Sequence, residues 1–369
     1  MGDAGEPLHA IDLTLLPNLF PFHPAPANHY QRQRRQAIIT TDTNNTLSLK
    51  FKLIAAAALA LAAVGAHAEK YPSKPINIIV PFSPGGVTDV MARLVATKLQ
   101  EDLGEAVIVV NKAGAGTTIA TNYVAKSPAD GYNILMAASS FTIGPSLYKE
   151  KAGYDPEKNF KPVSLLATIP HLLVVNPKLP VSDVTTLIKN MKVDSAQANY
   201  GSSGAGTSNH LEGELFATLA GIKPNHIPFK GSVPALTAIA GNDVSFMFVD
   251  IAAAKPYLEG GKVKALAVTT AKRSSLLPEL PTVEESGLNN FNATPWLGFV
   301  VPLGTPDAVI ATLNKSLAKM QNDPLVKERF ASMGIEPVFN NAPEFQSFMQ
   351  KDRMKWEDVI TRAQISATE

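Results

Sequence analysis

From Tyr71 onward, apolar positions fall into short continuous runs, each followed by a stretch in which they recur at helical spacing. The clearest unit spans Tyr71–Leu94. Ile76, Ile78, Ile79 and Val80 read as a strand, and Pro81-Phe82-Ser83-Pro84-Gly85-Gly86 as a turn. Thr88 or Asp89 can cap a helix whose apolar face is Met91, Leu94, Val95 and Leu99. The pattern repeats along the chain. It predicts strands over 76–82, 106–110, 133–137, 171–176, 197–200, 225–229, 244–249, 263–269 and 296–301. Helices are expected over 88–103, 116–126, 182–191, 207–220, 232–240, 251–259, 306–321, 324–333 and 343–365. Such alternation argues for α/β layers with largely parallel sheets. The length after residue 68 exceeds the usual single domain, so two domains are expected. There is no solenoid-type repeat and no low-complexity tract.

Ahead of this pattern lies a different one. Lys50 and Lys52 precede an apolar run from Leu53 to Val64, and Ala66-His67-Ala68 follows. A basic start, a short apolar core and an A-x-A end make a secretory signal over 49–68, with cleavage near Ala68. The run falls short of the roughly 20 residues a membrane span needs. Residues 1–48 carry scattered Pro, Asn, Gln and Arg without periodicity. They read as a disordered upstream extension from a start site placed too early. The protein is therefore expected in the periplasm.

Composition narrows the function. The chain has no cysteine, which removes thiol chemistry and Cys-based metal sites. After Ala68 it keeps 28 Lys+Arg and 28 Asp+Glu, so no nucleic-acid surface is suggested.

Four segments carry candidate chemistry. Ser83, Gly85, Gly86 and Val87 form the first strand-to-helix loop, where paired glycines expose backbone N–H groups at a helix start. From residues alone, an anion site and an ordinary turn are equally good readings. Asp89 is read as a brace or cap for that loop, not as a ligand contact. Ser139 and Ser140 follow an apolar strand and can orient a polar ligand or cap a helix. Ser202, Ser203, Gly204 and Thr207 belong to a glycine- and hydroxyl-rich stretch that opens a helix, with Asn209 and Glu212 placed for a capping box. Asp250 ends a strand and can bind a ligand amino or hydroxyl group, or cap the next helix. Lys230 stands alone, and a lone lysine is usually solvated.

Enzyme motifs do not assemble. Gly201-Ser202-Ser203-Gly204-Ala205 lacks the last glycine of a nucleophile elbow, and no acid accompanies His226. Gly114-Ala115-Gly116-Thr117-Thr118-Ile119 fails the dinucleotide fingerprint, and His210-Leu211-Glu212-Gly213-Glu214 is not a zinc motif. No enzymatic activity, cofactor or metal is expected.

The segment Tyr71–Leu94 resembles the start of the Bug-type solute receptors of tripartite tricarboxylate transporters. The similarity continues through Asn111–Gly116, Ser127–Tyr132, Tyr200–Thr207, His226–Gly231 and Leu280–Val283, almost to the C-terminus. The resemblance implies a two-lobed periplasmic-binding-protein (type II) fold with a ligand cleft between lobes. Lobe 1 would be 69–170 plus 293–369, and lobe 2 would be 171–292, with crossings near His171–Val175 and Trp296–Val300. It also implies that the Ser83–Val87 loop holds a ligand carboxylate. The function implied is a monomeric, exported receptor that captures a small organic acid and delivers it to integral-membrane transporter subunits. A ligand sensor for a membrane histidine kinase, or a secreted serine hydrolase using Ser203, are the rival readings. No convergent arginine pair specifies a tricarboxylate, so the particular acid is left open.

Overall fold

Two mixed sheets organise the structure, a computed structural model that describes residues 70–193 and 198–365. The upstream extension and the signal segment lie outside the described residues. The strands are β1 Ile76–Val80, β2 Val107–Asn111, β3 Asn133–Ala138, β4 Phe160–Thr168, β5 His171–Val175, β6 Asn199–Ser202, β7 Asn225–Pro228, β8 Phe246–Asp250, β9 Lys264–Val268, β10 Trp296–Pro302 and β11 Glu336–Pro337. The first sheet runs β11-β4-β10-β3-β1-β2, and the second runs β7-β6-β8-β5-β9.

The expectation of largely parallel sheets is corrected here. β1 pairs in parallel with β2 and β3, as β6 does with β7 and β8. The remaining pairings are antiparallel: β10 with β3 and β4, β11 with β4, and β5 with β8 and β9. The reason lies in the two crossings. A strand entering a sheet from the other half of the molecule arrives from the opposite end, and alternation of strand and helix says nothing about that.

Each sheet is covered on both faces, which is why its central strands read as unbroken apolar runs. Helix Val87–Leu103 lays Met91, Val95 and Leu99 against Ile76, Ile78 and Val80. It stops at Gly104, whose φ of 77° suits a left-handed C-cap. On the opposite face Ile79, Leu135 and Ala137 meet Val124, Trp296 and Phe345.

The chain leaves the first sheet at Thr168, enters the second at His171, and returns at Trp296. The crossing segments run side by side. Ile169 N donates to Pro295 O at 2.8 Å, Thr269 N to His171 O at 3.0 Å, and Ala293 N to Thr269 O at 3.2 Å. Helix Ala342–Arg362 opens with a capping box between Asn341 and Glu344. It then serves both halves: Phe345 and Met349 pack with Trp296, while Trp356, Val359 and Ile360 pack with Leu211 and Phe216. Between these ends lies Asp352, buried, accepting from Thr142 Oγ1 (2.7 Å), Trp296 Nε1 (2.9 Å) and Trp356 Nε1 (2.9 Å).

Several short elements, β11 among them, and two longer ones were absent from the sequence expectation. β4 carries Pro162 beside a register shift against β10, so its apolar pattern is broken. Helix Ser140–Tyr148 contains Gly144 and Pro145, both breaker signals, yet packs Ile143 and Leu147 into the core of the second sheet.

Candidate functional site

A cavity of about 450 Å³ opens where the two sheets' strand ends meet, within the usual range for small-molecule sites. The first sheet contributes Val87 and Thr88 from the loop after β1, and Ser139 and Ser140 after β3. Its partner sheet contributes Ala205–Ser208 and Asp250, while the crossing segments add His171 and Trp296. The apolar wall is Phe82, Ile143, Leu147, Tyr148, Leu297 and Met333. No Lys or Arg lines it among the described residues.

Two of the lining loops share one geometry. Gly86 is the N-cap of helix Val87–Leu103, extended at φ −75° and ψ 165°, and no side chain caps the helix. Thr207 is the N-cap of helix Ser208–Ala220 at φ −77° and ψ 165°, again without a side-chain cap. First-turn N–H groups are therefore uncovered at both starts, each with the positive end of a helix dipole. Glycine is required at Gly206, where φ is +75° and a Cβ would sit 2.8 Å from Leu147 Cδ2.

Hydroxyl groups add donors. Ser140 Oγ accepts from Thr117 Oγ1 at 3.0 Å and Ser139 Oγ from Trp296 N at 3.0 Å, which leaves both hydroxyl protons to point elsewhere. Thr88, expected only as a possible helix cap, lies inside the helix that Gly86 caps, and it and Ser208, which was not a site candidate, both line the cavity. Thr207 differs: its Oγ1 donates to Gly204 O at 2.6 Å, so its proton is used within the loop.

Asp89 holds the first loop from behind. Its carboxylate accepts from Gly85 N (2.9 Å), Arg93 Nε and Nη2 (3.0 Å each) and Asn111 Nδ2 (2.9 Å). The Arg93 hydrogen bonds lead in holding its pKa down to about 2, against burial, with help from Gly85 and Asn111. Ser83, Gly85 and Gly86 are exposed on this braced loop, immediately before the lining residues Val87 and Thr88.

Of the sequence candidates, Val87, Ser139, Ser140, Thr207 and Asp250 come together on the cavity wall. Ser202, Ser203 and Gly204 do not line it. Ser202 is fully buried, with Oγ 2.7 Å from His226 Nε2 and 3.1 Å from Gly204 O. Ser203 Oγ donates to Asn209 Oδ1, and Asn209 Nδ2 donates to Phe248 O at 2.9 Å. The expected capping box of Asn209 and Glu212 is not formed, because both side chains turn inward to other elements.

The hydrolase reading of Ser203 finds no histidine partner. The serine that does touch one, Ser202, has no access to the cavity. His226 stacks on His210 with ring centroids 3.8 Å apart and 5° between planes. Burial pushes both rings down to about 4, His226 adding to the effect on His210. The nearby Glu214 takes the Tyr200 hydroxyl at 2.5 Å and does not orient His226.

One pair escaped sequence reasoning. His171 Nδ1 lies 2.9 Å from Glu212 Oε2, with Glu212 fully buried and His171 nearly so. Asp250 is the direct cross-strand neighbour of His171. Burial works against a charged ring, but Glu212 and then Asp250 outweigh it and raise the His171 pKa. His171 and Glu212 come from different elements, so no local spacing announces the contact.

Comparison with known proteins points one way. A family model described as "Tripartite tricarboxylate transporter family receptor" matches residues 91–365. Protein BugT of Bordetella pertussis is 37% identical over 295 residues, covering 79% of this chain and 90% of BugT. The structure titled "R. palustris Rpa4515 with adipate" is 35% identical with a TM-score of 0.67, covering 80% of this chain and 99% of that one. MatC (Rpa3494) from Rhodopseudomonas palustris with bound malate is 30% identical with a TM-score of 0.64, covering 79% of this chain and 100% of that one.

Proposed function

The chain belongs to the tripartite tricarboxylate transporter receptor family and is a solute-binding receptor; from that premise we propose that it captures a small organic acid in the cavity between its sheets. The observation that carries this is the matched pair of uncapped helix starts, at Gly86–Val87 and Thr207–Ser208, one following a strand of each sheet and both sending residues into the wall of one cavity. Both can serve the same carboxylate-bearing ligand, so closure creates contacts that an open form lacks. Adipate and malate in the related structures support the same ligand class.

In this reading Val87, Ser139, Ser140, Thr207 and Asp250 meet the ligand, while Ser83, Gly85, Gly86, Ser202, Ser203 and Gly204 shape the loops. The lobes are 69–170 with 293–369, and 171–292, hinged at the paired crossings. The protein acts without catalysis, as a monomer in the periplasm, after cleavage near Ala68. It passes its ligand to membrane subunits of the transporter. No described helix is long and apolar enough to cross a membrane.

A thermal-shift screen of the chain from Glu69 tests this with adipate, malate, citrate and benzoate against adipamide as a neutral control. A ligand at 100 times its dissociation constant stabilises by about 2.7 kcal/mol. At least one acid should raise the melting temperature while adipamide does not. Equal shifts with adipamide, or none with any acid, would count against the reading.

A further inference from the structure

We propose that His171, held by Glu212, is the specificity-determining residue of this cavity: it presents Nε2–H as an imidazolium to a carboxylate of the ligand, so that capture is proton-linked. The inference rests on the carboxylate-receptor reading above and deepens it.

The geometry leaves the ring little choice. Nδ1 is committed to Glu212 Oε2 at 2.9 Å, while Nε2 has no hydrogen-bond partner among the described residues and His171 forms part of the cavity wall. A buried carboxylate at Nδ1 fixes the ring's orientation and requires a proton on that nitrogen. Glu212 is fully buried and its second oxygen, Oε1, has no partner among the described residues. An unshared carboxylate of this kind is costly unless a positive charge stands beside it. The imidazolium supplies that charge.

Burial opposes charge on both His171 and Glu212, and neighbouring charges act on each of them. Asp250 is the cross-strand neighbour of His171 on β8. Burial raises the Glu212 pKa and Asp250 adds to that, while His171 and then Lys355, from helix Ala342–Arg362, pull the other way and favour the ionised carboxylate. Tyr148, His171 and Asp250 are the titratable side chains of the cavity wall. With no Lys or Arg there, the His171 ring is its one cation. A ligand carboxylate entering next to Asp250 therefore needs the charged ring, which turns ring titration into ligand affinity. A neutral ring would instead offer Nε2 as an acceptor, and would favour hydroxyl or amino groups over carboxylates.

Isothermal titration calorimetry from about pH 6 to about pH 9.5 tests this. The probe is whichever of adipate, malate, citrate and benzoate binds most tightly. Wild-type affinity should fall at least tenfold across the range. His171→Gln should bind at least tenfold more weakly at the acidic end, and its affinity should be flat with pH. Glu212→Gln, which keeps a hydrogen-bonding side chain, should move the fall lower by about one pH unit. If Glu212→Gln does not fold, the contrast between wild type and His171→Gln decides alone. Tight binding with no pH dependence in wild type, or an unchanged profile in His171→Gln, would overturn the proposal and leave the receptor reading standing. If none of the four acids binds, both fall together.

Discussion

At the scale of single residues, residue type was legible in the sequence and direction was not. The hydroxyls of the Ser202–Thr207 stretch were visible, but which of them face a cavity depends on partners far away in the chain. Ser202 is drawn to His226 and Ser203 to Asn209, whereas Ser208, one helical position beyond the expected candidates, faces the cavity. Asp89 was readable as a brace because its partners Gly85 and Arg93 lie within four residues. The His210–His226 stack was invisible for the opposite reason. It carries a testable consequence. Both rings have folded-state values near 4, below their ordinary 6.5, so the unfolded chain binds more protons between those limits. Stability is then fully present above pH 6.5 and is lost as pH falls toward 4. Urea melts across this window should show the midpoint dropping as pH falls from 6.5 to 4, with a shallower slope in His226→Gln. An identical slope in that variant would mean the stack does not titrate as described.

Among elements, those with clean periodicity were placed to within a few residues, as with helix Ile251–Glu259 and strand β3. Elements whose sequences contain breakers were lost. Pro162 hides in β4 because the adjoining bulge frees the ladder position it cannot fill. Gly144-Pro145 hides a helix that tertiary packing holds in place, with Asp352 taking the Thr142 hydroxyl. Helix Ala342–Arg362 was predicted, yet nothing in its periodicity said that it joins two cores. Its central Asp352 is the tie. Asp352→Ala would leave the indole N–H groups of Trp296 and Trp356 buried without an acceptor, while the Thr142 hydroxyl would fall back on Ser139 O at 3.0 Å. Denaturant unfolding should report a loss of about 3–5 kcal/mol, with Asp352→Asn retaining part of it. A loss under about 1 kcal/mol would show that the network is dispensable.

For the whole molecule, the α/β class and the crossings near His171 and Trp296 could be expected beforehand, but the cavity could not. It exists because two strand-to-helix loops, far apart in the chain and on different sheets, line one space beside the paired crossing segments. Neither loop is a site alone. Their shared geometry, an extended N-cap with no side-chain cap, makes sense as two halves of one anion-binding arrangement. Gly86→Val is well suited to probe the first half, since a Cβ there meets only Ser83 O at 3.8 Å and φ is ordinary. Ser208→Ala probes the second by removing one cavity hydroxyl. Calorimetric titration of the tightest-binding acid into wild type, both single variants and the double variant is the most direct test. Ser208→Ala should cost about 0.5–1.5 kcal/mol of binding, Gly86→Val more, and the double variant should be weaker than either while circular dichroism stays unchanged. Unaltered affinity in folded Gly86→Val would contradict the account, because the anion would then not rest on the first loop.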